Sequence, residues 1–298
     1  MVAEALEQLE PSRGGVFLDC TVGLGGHAQA LLDAGASRLI GLDRDPSAIV
    51  LAREALHRFG DRVELVHTDY RSFGSVLDAR GEQGIDGALA DLGVSSLQLD
   101  EPGRGFSFRR DDPLYMRMDT STGQTAASAI AAASERTLAD VIYEFGEERH
   151  ARRVARAIVE AGRSGVIETT GRLAEIVRRA IPRKGFTRID PATRTFQALR
   201  IWVNRELEGL DAFVTEMAGR LRPGGRLVVI TFHSLEDRIV KHTLRSLQAD
   251  RELGLTVRTK RPLVPTETEI ARNPRARSAK LRAAERAGDS KPADVVDA

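Results

Sequence analysis

Hydrophobic residues in the first hundred positions alternate between short continuous runs and helical spacing. Runs at residues 16–21, 38–43, 63–67 and 85–91 predict four buried strands, because each is an apolar stretch of strand length. Between the runs, apolar positions recur at helical spacing, as in Ala28, Leu31 and Leu32. Strands that alternate with helices in this way predict βαβ units and a parallel sheet that is covered on both faces.

The pattern changes in the middle of the chain. From about Phe106 to Asn204 it predicts only helices, including one that starts at Thr137 and a long one from Asp190 through Leu210. Alternation resumes with an apolar strand at 226–232, a helix, and weaker strands at about 255–261 and 278–284. We therefore predict an α/β domain in two parts, 1–105 and 205–286, an inserted all-helical domain, 106–204, and a disordered tail, 287–298.

Composition places the chain among globular proteins. Of its 298 residues 42% are hydrophobic, and no apolar run approaches the ~20 residues of a membrane span. The single cysteine, Cys20, lies within an apolar run, which favours a buried thiol over a nucleophile. These features predict a cytoplasmic protein without contact to a membrane.

The net charge of +1 conceals two basic stretches. Residues 149–205 contain fourteen Arg or Lys against four Asp or Glu, and residues 251–286 contain ten against four. Of the 44 basic residues 39 are arginine, whose planar side chain suits phosphate contacts. We predict that at least one stretch contacts nucleic acid, the alternative being a solvated helix face.

A glycine loop at residues 22–27 follows the first predicted strand. Gly23, Gly25 and Gly26 let the backbone pass close to a ligand and direct the N–H groups of the next helix toward it. The spacing also satisfies the dinucleotide fingerprint, with Asp43 where a ribose-binding acid belongs. A nicotinamide enzyme and an S-adenosylmethionine-dependent methyltransferase are both compatible with the loop.

Three features favour S-adenosylmethionine. Asp19, at the end of the first strand, can receive the methionine ammonium directly or through water, whereas it would repel a pyrophosphate. Asp69 and Phe73 follow the third strand and suit an adenine ring through a hydrogen bond and stacking. The strands then lead into a helical insert instead of a second nucleotide-binding half.

Two further acids lie at strand ends. Asp43 is predicted to pair with both ribose hydroxyls, the alternative being a local role before Pro46, and Asp45 is predicted to cap a helix. Asp91 ends the fourth strand and is predicted to face the sulfonium or the substrate, with Gln98 close behind it. Asp91 either positions a ligand or accepts the proton of an attacking amine.

Residues 232–237 form a polar cluster at the end of the last apolar strand. Ser234 and Asp237 have the spacing of a capping box and predict a helix start there. His233 is not needed for that role, so it is either a structural histidine or a contact of the substrate nucleotide. A metal site is not predicted, because no second histidine or cysteine lies at ligand spacing.

Ten segments together resemble the bacterial 16S ribosomal RNA (cytosine-N4) methyltransferase family of the RsmH or MraW type. The similarity runs over nearly the whole chain, and the segments occur in the family's order. They are DCTVGLGGH (19–27), DRDP (43–46), DLGVSS (91–96), RGFSF (104–108), MRMD (116–119), YEFGEER (143–149), TFQALRI (195–201), NREL (204–207), FHSLED (232–237) and NPRARSAKLR (273–282).

The resemblance implies methylation of the exocyclic N4 amine of a decoding-centre cytidine in 16S rRNA, within the small ribosomal subunit. It implies a Rossmann-like class I methyltransferase sheet with an inserted helical domain, and it favours Phe73 over Asp69 at the cofactor. Asp91 and His233 become the candidate catalytic residues. The implied contacts of S-adenosylmethionine are Gly25, Gly26, His27, Asp43, Phe73, Asp91 and Gln98.

Two departures from the family pattern affect these expectations. Family members usually carry an N-terminal His-x-Pro-Val segment, whereas this sequence begins at Met1, so a covering strand is expected to be missing. Tyr115 stands where an aspartate is usual. Two alternatives remain open: a methyltransferase that acts on another RNA, on DNA or on a protein, and a non-catalytic RNA-binding factor of ribosome assembly.

Overall fold

A computed structural model describes residues 1–182 and 189–288 of the chain. The chain divides into two compact units, one formed by Met1–Gly93 with Glu208–Ala298 and the other by Val94–Leu207. The predicted insert, 106–204, lies inside the second unit, which begins twelve residues earlier, at Val94. Most of the predicted disordered tail lies outside the described residues.

The first unit contains a seven-stranded sheet. Its strands are β1 (Val16–Asp19), β2 (Arg38–Asp43), β3 (Val63–His67), β4 (Ile85–Asp91), β5 (Leu221–Thr231), β6 (Leu255–Val257) and β7 (Lys280–Arg286). Their order is β3-β2-β1-β4-β5-β7-β6. Strands β1 to β5 pair in parallel, and β7 runs antiparallel to β5 and β6. The predicted bounds of β2, β3 and β4 are confirmed residue for residue.

The strand order reverses between β1 and β4. From β1 the chain adds β2 and then β3 on one side, whereas β4 and β5 lie on the other. In open α/β sheets the helices on the two sides of such a switch point leave a crevice outside the carboxyl ends of the strands. The ends of β1 and β4, Asp19 and Asp91, therefore flank the position where this fold binds ligands.

Helices cover both faces of the sheet, as predicted. One apolar cluster includes side chains of α1 (Val2–Leu9), α2 (Gly26–Asp33) and α3 (Pro46–Leu56), and a second includes those of α4 (Phe73–Asp78), α11 (Leu210–Arg220) and α12 (Ser234–Ala249). A short helix, α13 (Glu267–Arg272), precedes β7. Strands buried on both faces are apolar along their whole length, which is why continuous runs identified them.

The second unit is helical, and its described residues contain no strand of the sheet. It comprises α5 (Ser96–Asp100), α6 (Ala126–Ala132), α7 (Glu135–Gly146), α8 (Ala151–Arg163), α9 (Thr170–Ala180) and α10 (Ala192–Asn204). Its core is formed by apolar faces of these helices, with Leu138, Ile142, Leu173 and Phe196 among the buried side chains.

Two predicted helix bounds in this region are wrong. Helix α7 begins after Ser134, whose side chain accepts a hydrogen bond from Thr137 N at 3.0 Å, so Thr137 lies inside the first turn. The predicted long helix from Asp190 to Leu210 is two helices. Arg205 ends α10 in a left-handed conformation (φ 53°) and Gly209 caps α11. The apolar residues of α10 and α11 happen to keep helical spacing across the break, so the sequence pattern did not show it.

The structure also bears on the predictions for Cys20 and for membrane contact. Cys20 is buried, and burial raises the pKa of its thiol, in agreement with an inert core cysteine. None of the described helices combines the length and the apolar character needed to cross a membrane.

Candidate active site

The glycine loop makes a sharp turn between β1 and α2. Gly23 (φ 53°) and Gly25 (φ 86°) adopt the left-handed conformation that side chains disfavour, and Gly25 N donates a hydrogen bond to Val22 O at 2.7 Å. Gly26 is the first residue of α2 and is exposed. The turn therefore brings the amino terminus of α2, with its unpaired N–H groups, to the carboxyl end of the sheet.

Asp43 holds this loop against the end of β2. Its Oδ2 accepts a hydrogen bond from Gly23 N at 2.8 Å, and its Oδ1 accepts one from Asp45 N at 2.9 Å. Each carboxylate oxygen keeps a second lone pair for another donor. Burial raises the pKa of Asp43, while the two N–H donors oppose that shift. The local role considered for Asp43 is thus present, and it leaves acceptors for ribose hydroxyls.

Asp45 is a helix cap, as predicted. Its Oδ1 accepts a hydrogen bond from Ser47 N at 3.1 Å at the start of α3. Its side chain is buried.

Asp91 and His27 lie beside each other at the switch point. Asp91 Oδ2 is 3.6 Å from His27 Nδ1, and Asp91 N donates to Thr21 Oγ1 at 2.7 Å. Asp91 Oδ1 and His27 Nε2 are buried without a hydrogen-bond partner in the described ranges. Burial raises the pKa of Asp91 to about 7 and lowers that of His27 to about 4. At neutral pH the imidazole is therefore uncharged, and the carboxyl titrates.

Asp19 is a second buried acid at the same edge. Its Oδ1 accepts a hydrogen bond from Thr21 N at 3.1 Å, and its Oδ2 has no partner among residues 1–182 and 189–288. Burial raises the pKa of Asp19 to about 7, and the negative charges of Asp91 and Asp43 add to that shift. Asp19 is 0% exposed, and its direct or water-mediated contact with an ammonium stays a prediction.

The adenine contacts predicted after β3 require a correction. Phe73 is 0% exposed and packs edge-on against Phe213, with ring centroids 5.6 Å apart, so its ring belongs to the core and is closed to a stacking base. Asp69 is engaged by Arg71, whose Nε and Nη2 donate to it at 2.7 and 2.6 Å. Asp69 was the less favoured cofactor contact, and these hydrogen bonds already occupy its carboxylate.

Gln98 lies in the other unit, at the start of α5. It is 5% exposed, and its Oε1 accepts a hydrogen bond from Ser95 N at 3.1 Å in a capping box. A contact of Gln98 with the cofactor stays a prediction.

The helix start at residues 232–237 is built differently from the prediction. His233 is the N-cap of α12 and Glu236 is its partner: Glu236 N donates to His233 Nδ1 at 3.4 Å, and Glu236 Oε2 accepts from Phe232 N at 2.9 Å. Asp237 instead accepts hydrogen bonds from Arg282 Nε at 2.7 Å and Lys280 Nζ at 3.3 Å. The predicted Ser234–Asp237 capping box is wrong, since the box begins one residue earlier.

The arrangement suits the chemical groups of S-adenosylmethionine. The pKa values of Asp19 and Asp91 are raised, so a positive charge bound nearby stabilises their ionised carboxylates. S-Adenosylmethionine carries two positive groups, a sulfonium and an ammonium. The amino terminus of α2 attracts the cofactor's carboxylate. Asp43 offers acceptors to ribose hydroxyls at the end of the neighbouring strand. The residues present therefore fit this cofactor, and contacts from Gly26, His27, Asp43 and Asp91 stay a prediction.

Neighbouring glycines of the loop are expected to respond differently to alanine. A Cβ on Gly25 would meet Leu56 Cγ at 3.2 Å and would force φ 86° on alanine, so Gly25→Ala should cost roughly 1–2 kcal/mol of unfolding free energy. A Cβ on Gly26 meets nothing within 4 Å. Gly26→Ala should keep the parent's stability while weakening S-adenosylmethionine binding about tenfold, or ~1.4 kcal/mol. Thermal unfolding and calorimetric titration measure both quantities; unchanged affinity in Gly26→Ala would remove that residue from the site.

Replacing Asp19 with asparagine is expected to stabilise the free protein and weaken cofactor binding. The pKa of Asp19 is about 7 in the folded protein and lower in the unfolded chain. The free energy of unfolding therefore falls as the pH rises between these two values. The Asp19→Asn variant should therefore gain on the order of 2–4 kcal/mol over the parent at pH 8 and little at pH 4. Loss of the charge should weaken S-adenosylmethionine binding about tenfold at pH 8. Denaturant unfolding at both pH values tests the first part; a gain that does not depend on pH would contradict it.

Comparisons with known proteins found the following similarities. A solved structure of a putative methyltransferase from Streptococcus mutans in complex with SAH aligns over 96% of this chain and 97% of its own, with 13% identity and a TM-score of 0.43. Two relatives at 50% identity are named "Ribosomal RNA small subunit methyltransferase H". The relative from Sorangium cellulosum covers 96% of this chain and 89% of its own length, and the relative from Geobacter sulfurreducens 96% and 97%.

The profile of the MraW methylase family matches residues 1–287, nearly the whole chain. This match confirms the resemblance stated from the ten sequence segments. It also decides between the two cofactors that the glycine loop allowed, against the nicotinamide enzyme. The chain belongs to the MraW methylase family, and it is an S-adenosylmethionine-dependent methyltransferase.

Proposed function

We propose that the protein methylates the exocyclic N4 amine of a cytidine in 16S rRNA within the small ribosomal subunit. The observation that carries the proposal is the partly buried carboxyl of Asp91, which has a raised pKa and lies beside a neutral imidazole at the end of β4. The 50% identity to relatives named for small-subunit rRNA supports the substrate class. A cytoplasmic location, predicted from the sequence, follows from a ribosomal substrate.

The cofactor supplies an electrophilic methyl group on its sulfonium. The protein's part is to align the amine and to remove its proton, because an exocyclic amine becomes acidic as it attacks. Asp91, with a pKa of about 7, is ionised in a large fraction at neutral pH and is basic enough to accept that proton. His27 stays uncharged beside it and adds no repulsion toward the sulfonium.

Exposed arginines of the second unit support an RNA substrate. Helix α8 buries Val154 and Ile158 and exposes Arg152, Arg153 and Arg163 on its other side. Arginine side chains on one helix face are available to phosphate oxygens, whereas salt-bridged ones are partly neutralised. The nucleic-acid role predicted for residues 149–205 stays part of this proposal.

Nucleoside analysis tests the substrate assignment. Small subunits from a strain that lacks the gene are incubated with the full chain and methyl-labelled S-adenosylmethionine, and the digested 16S rRNA is analysed by mass spectrometry. The proposal expects label in N4-methylcytidine. Label in another nucleoside or in ribosomal protein would assign a different substrate, and absence of label despite cofactor binding would favour the non-catalytic assembly factor.

A further inference from the structure

A basic cavity lies between α12 and the strands β6 and β7, away from the glycine loop. Its volume is about 310 Å³. Lys241, Arg245 and Gln248 line it from α12, where positions i, i+4 and i+7 share one helix face. Lys260 and Arg282 line it from the strand side.

The polar lining can donate hydrogen bonds, but its acceptors are already engaged. Gln248 Oε1 accepts from Val257 N at 2.8 Å, which leaves its amide NH₂ for another acceptor. The buried Thr259 Oγ1 accepts from Ala283 N at 2.9 Å and keeps its hydroxyl proton. No acidic residue is among the described residues that line the cavity. Such a lining matches an anion with several acceptor oxygens.

Arg282 is fixed and directed into this cavity. Its side chain is 6% exposed, and its Nε donates to Asp237 Oδ1 at 2.7 Å. Asp237 also pairs with Lys280, so one carboxylate faces two cations and cannot neutralise both. Within residues 1–182 and 189–288, the terminal nitrogens of Arg282 make no hydrogen bond. The terminal donors of Arg282 are absent from the buried unpaired atoms of the described ranges, so they are accessible at the cavity wall and can bind an anion or solvent.

The cavity is close to the reactive edge of the sheet. Arg282 pairs in register with Val229 of β5, two residues before Thr231, where that strand ends beside the crevice. Two residues along a strand correspond to about 7 Å. The crevice lies one strand further, beyond β4, so an RNA strand whose target base enters the crevice can reach the cavity within a few nucleotides. The volume also exceeds that of a bare phosphate and leaves room for part of a ribose.

We propose that the cavity lined by Lys241, Arg245, Lys260 and Arg282 binds a backbone phosphate of the RNA substrate within a few nucleotides of the methylated one. This inference rests on the proposed function, because it takes the substrate to be RNA. The site would fix the register of the strand, while the end of the sheet acts on the base.

The test measures binding of a labelled single-stranded RNA that contains cytidine to the full chain between 50 and 200 mM salt. Lys241→Gln with Arg245→Gln should weaken RNA binding about tenfold and lower the salt slope by roughly one to two. Lys260→Gln, outside helices and strands, should show a smaller effect in the same direction. The matched control is Arg53→Gln on the exposed side of α3, which should bind RNA as the parent does. S-Adenosylmethionine affinity should not change in any of these variants.

Three outcomes distinguish the proposals. RNA affinity and salt slope equal to the parent's in the double variant would overturn the phosphate site, even if N4-methylcytidine is still formed. The same result together with binding of inorganic phosphate to the parent alone would assign the cavity to a free phosphate compound and would equally overturn the RNA assignment. Weakened RNA binding by the double variant would support the cavity. If the parent also formed no N4-methylcytidine, the cavity would stand and the proposed function would be refuted instead.

Discussion

Asp91→Asn is expected to lower the rate of methyl transfer about 100-fold or more at pH 8. Asparagine has the shape of aspartate but can neither accept a proton nor offset the sulfonium charge, and loss of a general base typically costs 10²–10⁴ in rate. Since burial raises the pKa of Asp91 to about 7, the parent's rate should increase with pH through 7. The rate of the variant should be nearly independent of pH there. Single-turnover assays with saturating cofactor separate this effect from binding.

Asp86→Asn is the matched control for this experiment. Asp86 lies at the opposite end of the same strand, where its Oδ2 accepts from Val16 N at 2.7 Å and Arg222 Nη1 at 2.6 Å. The same substitution there should reduce stability and leave the turnover of the folded protein unchanged. A rate for Asp91→Asn within twofold of the parent's, with the same pH dependence, would leave Asp91 only a positioning role.

Asp43→Ala is expected to weaken S-adenosylmethionine binding about 30-fold, or ~2 kcal/mol. The substitution removes the acceptors predicted for the ribose hydroxyls. It also releases Gly23 N and Asp45 N, so the loop loses the hydrogen bonds that hold it in place. Stability should fall by about 1–2 kcal/mol as well. Calorimetric titration with S-adenosylmethionine gives the dissociation constant, and denaturant unfolding gives the stability.

Asp45→Ala separates loop stability from cofactor contact. It removes the cap of α3, which should cost about 1 kcal/mol of stability, but it leaves Asp43 and the glycine loop in place. Its cofactor affinity should therefore match the parent's. If Asp43→Ala and Asp45→Ala bind cofactor equally well, Asp43 serves the helix start alone and the ribose role is wrong.

Strands and strand-end acids were accessible from the sequence because both follow from local rules. Buried parallel strands are continuous apolar runs, so the bounds of β2, β3 and β4 agreed with the structure. An acid directly after such a run must lie at the carboxyl edge of the sheet. Asp43 and Asp91 were placed there for this reason, and the switch point that brings Asp19 near Asp91 follows from the strand order.

Burial and partner choice were not accessible, because they depend on packing between distant residues. The sequence places Phe73 after β3, but Phe213, 140 positions further on, closes its ring into the core. His233 looked dispensable because histidine is an uncommon N-cap; the Glu236 three residues later was the available signal. Thr21 was also missed: its hydroxyl accepts from Asp91 N and joins the ends of β1 and β4.

The central claim is that the acids at the switch point bind the positive charge of the cofactor. It is tested most directly by titrating the full chain with S-adenosylmethionine and S-adenosylhomocysteine between pH 6 and 8. Binding of a cation to carboxyls with pKa values of about 7 requires them to lose protons. S-Adenosylmethionine affinity should rise by up to about tenfold per pH unit below pH 7 and level off above it. S-Adenosylhomocysteine, which lacks the sulfonium charge, should show a shallower rise. An S-adenosylmethionine affinity that stays constant from pH 6 to 8 would contradict the account.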